Sequence, residues 1–252
     1  MKKIKINRSS APNFFTAMNM VFGFLCIIFA SKGEFYIAAF FIVFAALCDS
    51  LDGIVARLTK SSSKFGVELD SLADVISFGV APSTLVYFLY FHTFDTWGII
   101  LSTLPMIFAA MRLARFNVQL VGFDKEFFYG MPAPSAAITL SSFVIFFYDE
   151  SGLTSFQKDP LIPLTICLSL LMISTFKYDT FPKFSKKGIK RNPIKFTIFV
   201  VGFILIIITK GKAILPLFII YIFSGIFRTI IKISKQLLRH KRNEENKVKL
   251  ID

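Results

Sequence analysis

Four carboxylates, Asp49, Asp52, Asp70 and Asp74, fall within 26 positions of a chain that is 54% hydrophobic. An ionised group at the centre of a membrane helix costs about 2.5–3.5 kcal/mol on insertion scales, so four together need a use. Asp49 and Asp52 are three apart and share one helix face; Asp70 and Asp74 are four apart and share a face of the next helix. The connection Leu58–Phe65 carries Thr59, Ser61, Ser62 and Ser63 and suits a short polar turn. The expectation is a helical hairpin with both carboxylate pairs at one end. Four such groups repel one another and resist leaving water. Divalent cations relieve both problems, and two of them roughly 3.5–4 Å apart can clamp the attacking and leaving oxygens of a phosphoryl displacement.

The residues between the acids leave room for a phosphate ligand. Gly53, Ala56 and Gly66 are small where a side chain would face the site, which lets a ligand approach the backbone. Close packing of helices in a membrane uses the same residue types and is the plainer alternative. Arg57 can hold a diphosphate through two donors, or can anchor its helix at the membrane boundary. Neither histidine joins this chemistry, since His92 falls in a distant connection and His240 in the basic C-terminal stretch.

Eight uncharged apolar runs must position these residues: Pro12–Ser31, Phe35–Cys48, Val75–Phe91, Thr96–Met111, Met131–Tyr148, Pro160–Phe176, Phe196–Thr209 and Ala213–Phe227. Most approach the length that crosses roughly 30 Å of hydrocarbon as a helix. The second and third adjoin the carboxylate motif. The reading is an all-α, polytopic membrane bundle of eight spans, with six as the alternative because Phe196–Thr209 is short. A soluble protein would need polar helical faces that these runs do not offer.

The net charge of +13 raises the question of nucleic acid. Its distribution answers it. With the N-terminus inside, all but Lys32, Lys158, Lys210 and Lys212 of the 29 Lys and Arg fall in inside segments. That is the positive-inside pattern, so both termini are expected in the cytoplasm, the basic loops face the anionic leaflet, and no nucleic-acid partner is expected. Cys26, Cys48 and Cys167 sit in apolar runs without metal-type spacing and read as reduced, packed residues. The basic start before Pro12 looks like a signal peptide, but Asn13 and Asn19 interrupt the run and no small-residue cleavage site follows, so an uncleaved first span is expected. Residues 112–130 read as a polar, aromatic-rich link, and residues 177–195 as a basic loop broken by Pro182, Gly188 and Pro193. Residues 235–252 read as a solvated helical extension or tail.

The pattern D-x-x-D-G-x-x-A-R-x8-G-x-x-x-D-x-x-x-D, complete here from Asp49 to Asp74, resembles the signature of the CDP-alcohol phosphatidyltransferase family. The resemblance extends over roughly residues 10–185. Asp70-Ser-Leu-Ala-Asp74-Val-Ile-Ser-Phe-Gly-Val-Ala-Pro82, Arg112-Leu-Ala-Arg115-Phe-Asn117, Gly130-Met-Pro-Ala-Pro134 and Met172-Ile-Ser-Thr-Phe-Lys177-Tyr look like its serine-accepting, phosphatidylserine synthase branch. Ser71 and Val75 stand where glycerol-phosphate enzymes tend to carry Pro and Lys; Met131 replaces a commoner Leu.

The resemblance implies a membrane transferase, six core helices plus two, homodimeric, in the cytoplasmic membrane with its site facing the cytoplasm. Residues 1–185 would form the catalytic domain, 186–234 an additional transmembrane hairpin and 235–252 a basic tail. CDP-diacylglycerol and L-serine would be the substrates, phosphatidylserine and CMP the products. Asp49, Asp52, Asp70 and Asp74 would hold two Mg²⁺ or Mn²⁺, with Asp70 and Asp74 catalytic and Asp74 doubling as base. Gly53, Ala56, Arg57, Gly66 and Asn13 would shape the CDP pocket, though Asn13 can equally cap its helix. Arg112, Arg115 and Lys177 are candidates for the serine carboxylate or the lipid phosphate, against plain positive-inside anchoring. The alternatives are the same chemistry on glycerol 3-phosphate or inositol phosphate, a cation transporter using the Asp cluster, and a structural scaffold, which leaves the cluster unexplained.

Overall fold

All eight apolar runs lie on helices. The computed structural model describes residues 10–59, 61, 63–119, 127–149, 152–179 and 193–248. The helices are α1 (Ser10–Ser31), α2 (Phe35–Thr59), α3 (Lys64–Asp74), α4 (Ala81–Leu89), α5 (Asp95–Gln119), α6 (Ala133–Phe147), the short α7 (Ser155–Lys158), α8 (Leu161–Ile173), α9 (Pro193–Ile208) and α10 (Ile214–Val248). A π-helical turn, Val75–Val80, fuses α3 to α4, and a 3-10 turn, Phe91–Phe94, leads into α5. Six of the described segments are long and apolar enough to cross a membrane: Ala11–Ser31, Phe35–Thr59, Lys64–Leu89, Phe91–Val118, Ser155–Ile173 and Ile214–Ile231. The chain is an integral membrane helix bundle. Helix α6 is shorter but is buried along nearly its whole length, from Ala133 to Ile145.

Small residues set how closely the first two helices pack. Ala38, Ala39, Ala45 and Ala46 of α2 are buried, and without side-chain bulk the helices gain van der Waals contact that lipid cannot offer. The tight turn Lys32–Glu34 reverses the chain, with Gly33 at φ 81° and the Glu34 N–H donating to Phe29 O at 3.0 Å. Closer to the acids, a Cβ at Gly23 would fall 2.5 Å from Ser77 Oγ, so only glycine lets α1 meet the π turn there. Outward-facing Phe24, Trp97, Ile100, Phe203, Ile207 and Phe223 are exposed, as a lipid-facing surface requires.

Two features depart from the expectations. Helix α5 continues to Gln119, so Arg112, Arg115 and Asn117 lie on a helix where a link was expected. Residues Phe127–Tyr129 pair antiparallel with Lys177–Asp179, adding a two-stranded ribbon to an otherwise helical molecule. The C-terminal extension is helical to Val248, in line with the helical extension read from the sequence, and continues the last span directly. Of the basic loop 177–195, residues 180–192, which include Pro182 and Gly188, lie outside the described residues.

Candidate active site

The hairpin that carries the acids is built by its own turn. Ser63, extended at φ −127° and ψ 153°, caps α3 by accepting from the Gly66 N–H at 3.0 Å, which satisfies one of the helix's free donors. On the other side Thr59 and Ser61 share a hydroxyl hydrogen bond of 2.6 Å. The turn joins α2 to α3, both of which pack on α1, and carboxylate oxygens of Asp49, Asp70 and Asp74 come within 4.8 Å of one another. Asp52 is held slightly apart. It is buried and accepts from Thr16 Oγ1 of α1 at 3.0 Å.

Helix α1 also grips the second acid pair. Asn19, fully buried, donates through Nδ2 to Asp74 Oδ1 at 3.5 Å, and its own carbonyl accepts from Ser77 Oγ at 2.9 Å. Two buried acceptors here, Asn19 Oδ1 and Asp70 Oδ1, meet no donor among the described residues. An acceptor left so costs about 1–3 kcal/mol. Three converging carboxylates with unpartnered oxygens beside them form the all-oxygen donor set that a hard divalent cation takes.

The remaining candidates divide into two walls. Asn13 of α1 stands over Gly66, where a Cβ would lie 3.3 Å from Asn13 Oδ1 and 3.2 Å from Ser63 Oγ. Gly53 lies beneath the exposed Arg57, 3.7 Å from a Cβ to its guanidinium, with Ala56 half-buried between them in sequence. These four and Asn13 thus flank the acids at the hairpin's turn. On the other wall Arg112 is only 7% exposed, on α5, which packs against the π turn that follows Asp74. Arg115 points elsewhere, donating to the carbonyls of Ile173 at 2.9 Å and Met172 at 3.5 Å, where it stitches α5 to the end of α8. Asn117 Nδ2 donates to Ser71 Oγ at 2.9 Å and ties α5 to the residue after Asp70. Lys177 pairs through its backbone with Tyr129; its side chain lies outside the described residues.

Sequence reasoning passed over Thr16, Asn19 and Asn117 as site residues. Asn13, Thr16 and Asn19 recur at intervals of three in an apolar run, which places them on one helical face. That spacing was the available signal.

A model of the CDP-alcohol phosphatidyltransferase family matches residues 9–171. The chain belongs to that family. A Helicobacter pylori (strain 26695) protein named CDP-diacylglycerol–serine O-phosphatidyltransferase is 36% identical over 233 residues, covering 92% of this chain and 96% of the relative. A Methanocaldococcus jannaschii protein of the same name is 34% identical over 218 residues, covering 86% and 93%. A Methanothermobacter thermautotrophicus protein named archaetidylserine synthase is 39% identical over 170 residues, covering 66% and 68%. The phosphatidyltransferase match takes in all four aspartates, Thr16, Asn19, Arg112 and Arg115. It ends before Lys177 and before α9 and α10.

Proposed function

We propose that this CDP-alcohol phosphatidyltransferase moves the phosphatidyl group of CDP-diacylglycerol to the hydroxyl of L-serine, giving phosphatidylserine and CMP. The observation that carries this is the 36% identity to the Helicobacter pylori relative over nearly the whole of both chains. All three relatives' names carry serine, while one of the three names a different lipid, so the acceptor is the steadier part of the assignment.

The geometry supports a route for the reaction. The serine oxygen forms a bond to the lipid-side phosphorus, the bond from that phosphorus to the bridging oxygen breaks, and CMP leaves with the electron pair. The serine proton goes to a carboxylate, with Asp74 as the base. Asp49, Asp52, Asp70 and Asp74 are the residues that would hold two Mg²⁺ or Mn²⁺. When bound, these ions supply charge neutralisation at the diphosphate and the leaving oxygen. Thr16 and Asn19 fix the carboxylates of Asp52 and Asp74 from α1. Gly53, Ala56, Gly66, Asn13 and Arg57 form the nucleotide side. Arg112 and Lys177 are assigned to the anionic groups of the substrates. Arg115 is assigned a supporting role behind them, because two of its guanidinium nitrogens donate to backbone carbonyls.

The basic-loop distribution supports an orientation with both termini and the carboxylate end of the hairpin in the cytoplasm. The reading places the chain in the cytoplasmic membrane as a homodimer. The test is direct. Purified protein with CDP-diacylglycerol, L-serine and Mn²⁺ is expected to release CMP and form phosphatidylserine. CMP release with glycerol 3-phosphate or inositol phosphate, and none with serine, would overturn the acceptor.

A further inference from the structure

Two of the segments that carry site residues are interrupted in mid-span. The π turn Val75–Val80 separates α3 from α4. Pro105 stands inside α5 and leaves the Leu101 carbonyl without the donor four residues on. The two irregular points meet. A Cβ at Gly79 of the π turn would lie 3.3 Å from Met106 Cα, and the Met106 N–H donates to Ser83 Oγ of α4 at 3.1 Å. Beyond them, the halves that bear Asp70, Asp74 and Arg112 are not held in line by an unbroken α-helix, so their twist needs a separate tie. Asn117, near the end of α5, supplies one. Its Nδ2 donates to Ser71 Oγ at 2.9 Å, and that hydroxyl donates in turn to Val67 O of its own helix at 3.1 Å. Helix α3 is thus gripped one residue past Asp70. The tie from α1, Asn19 to Asp74, is longer at 3.5 Å.

We propose that Asn117 and Ser71 are a positioning pair for the carboxylate cluster. The hydrogen bond between them sets the rotation of α3 about its own axis, and with it the approach of Asp70 and Asp74 to Asp49. This rests on the reading that these carboxylates hold divalent cations. The lever is short. A side-chain oxygen on a helix stands about 5 Å from the axis, so a twist of about 20° carries it roughly 2 Å. Metal–ligand distances are held within about 0.2 Å, so such a twist takes a carboxylate out of reach of an ion. Asn117 acts on the cluster through Ser71 and the backbone of α3.

The experiment uses the full chain in detergent, without substrate. Mn²⁺ is titrated in, and the free ion is followed by its electron paramagnetic resonance signal. Ser71→Ala, Asn117→Ala and the double variant are compared with the parent; Ser71→Thr, which keeps the hydroxyl, is the conservative control. Each single alanine variant is expected to weaken Mn²⁺ binding about ten-fold, the scale of a lost outer partner of a metal site. The double variant is expected to bind no worse than the weaker single, because both remove one interaction. Ser71→Thr is expected to stay within about two-fold of the parent. Unchanged binding in either single variant overturns the proposal, as do losses that multiply in the double or a loss in Ser71→Thr equal to that in Ser71→Ala. A lower melting temperature with unweakened binding also overturns it, since that marks a tie of structure alone. If Asn117→Ala does not fold, Ser71→Ala against Ser71→Thr decides, because alanine is favoured in a helix. A parent that binds no Mn²⁺ overturns the metal reading and the proposal together; a parent that binds it no better than the variants overturns the proposal alone. No acceptor is present, so the serine assignment stands or falls separately.

Discussion

Asp70 carries a buried oxygen with no donor among the described residues, and its carboxylate comes within 4.8 Å of those of Asp49 and Asp74. Asp70→Asn keeps the shape and removes the charge. Turnover is expected to fall about a thousand-fold, the loss of several kcal/mol of charge stabilisation, with the melting temperature held or raised; a fully active variant would sink the metal assignment. Thr16→Val, also near in shape, removes the side-chain hydroxyl that donates to Asp52. A roughly ten- to hundred-fold loss of activity or of metal affinity is expected, read from the Mn²⁺ dependence of CMP release; an unchanged curve would remove Thr16 from the site. At this scale the four aspartates were legible because acids are costly in an apolar chain and their spacing is regular. Thr16 and Asn19 were less so, since a lone hydroxyl or amide in a membrane helix bonds as readily to its own backbone, as Thr16 also does to Pro12 O at 3.2 Å.

Among the elements, the junction of α3 and α4 is the least expected. The π turn begins at the residue after Asp74, and the Ala81 N–H reaches back five residues to Ile76 O. Pro82, just beyond, lacks an N–H and cannot complete an ordinary turn there. The extra residue in the turn places Ser77 against α1, where Gly23 makes room. Gly23→Val would overpack this crossing, and a loss of about 1–3 kcal/mol is expected, seen as a lower melting temperature in detergent; an unshifted melt would show that the helices part there without strain. Apolar runs alone located all eight main helices. They do not report a change of hydrogen-bond register inside a helix, nor a three-residue strand pair. The continuation of α5 to Gln119 was hidden because charged residues ended the run, although charges at a membrane boundary leave a helix intact.

For the molecule as a whole, the arrangement of basic loops predicts a single orientation. With the natural cysteines replaced, Lys158→Cys is expected to react with a membrane-impermeant maleimide on intact cells, and Lys64→Cys only after the membrane is opened; the reverse result would place the carboxylates outside. The bundle and its site were readable at this scale because hydrocarbon imposes length and charge rules on every span. The packing of α10 on the ribbon was not readable, since an exchange of space between Gly225 and Tyr178 leaves no mark on hydropathy. One further consequence follows from acids gathered at the ends of membrane-spanning helices. The lipid donor reaches them by sliding within a sheet, while serine arrives by diffusion through water. The enzyme therefore senses the donor as a surface density. At a fixed bulk amount of CDP-diacylglycerol, adding inert detergent is expected to slow CMP release in proportion to the falling mole fraction, while the response to serine keeps its ordinary dependence on volume concentration.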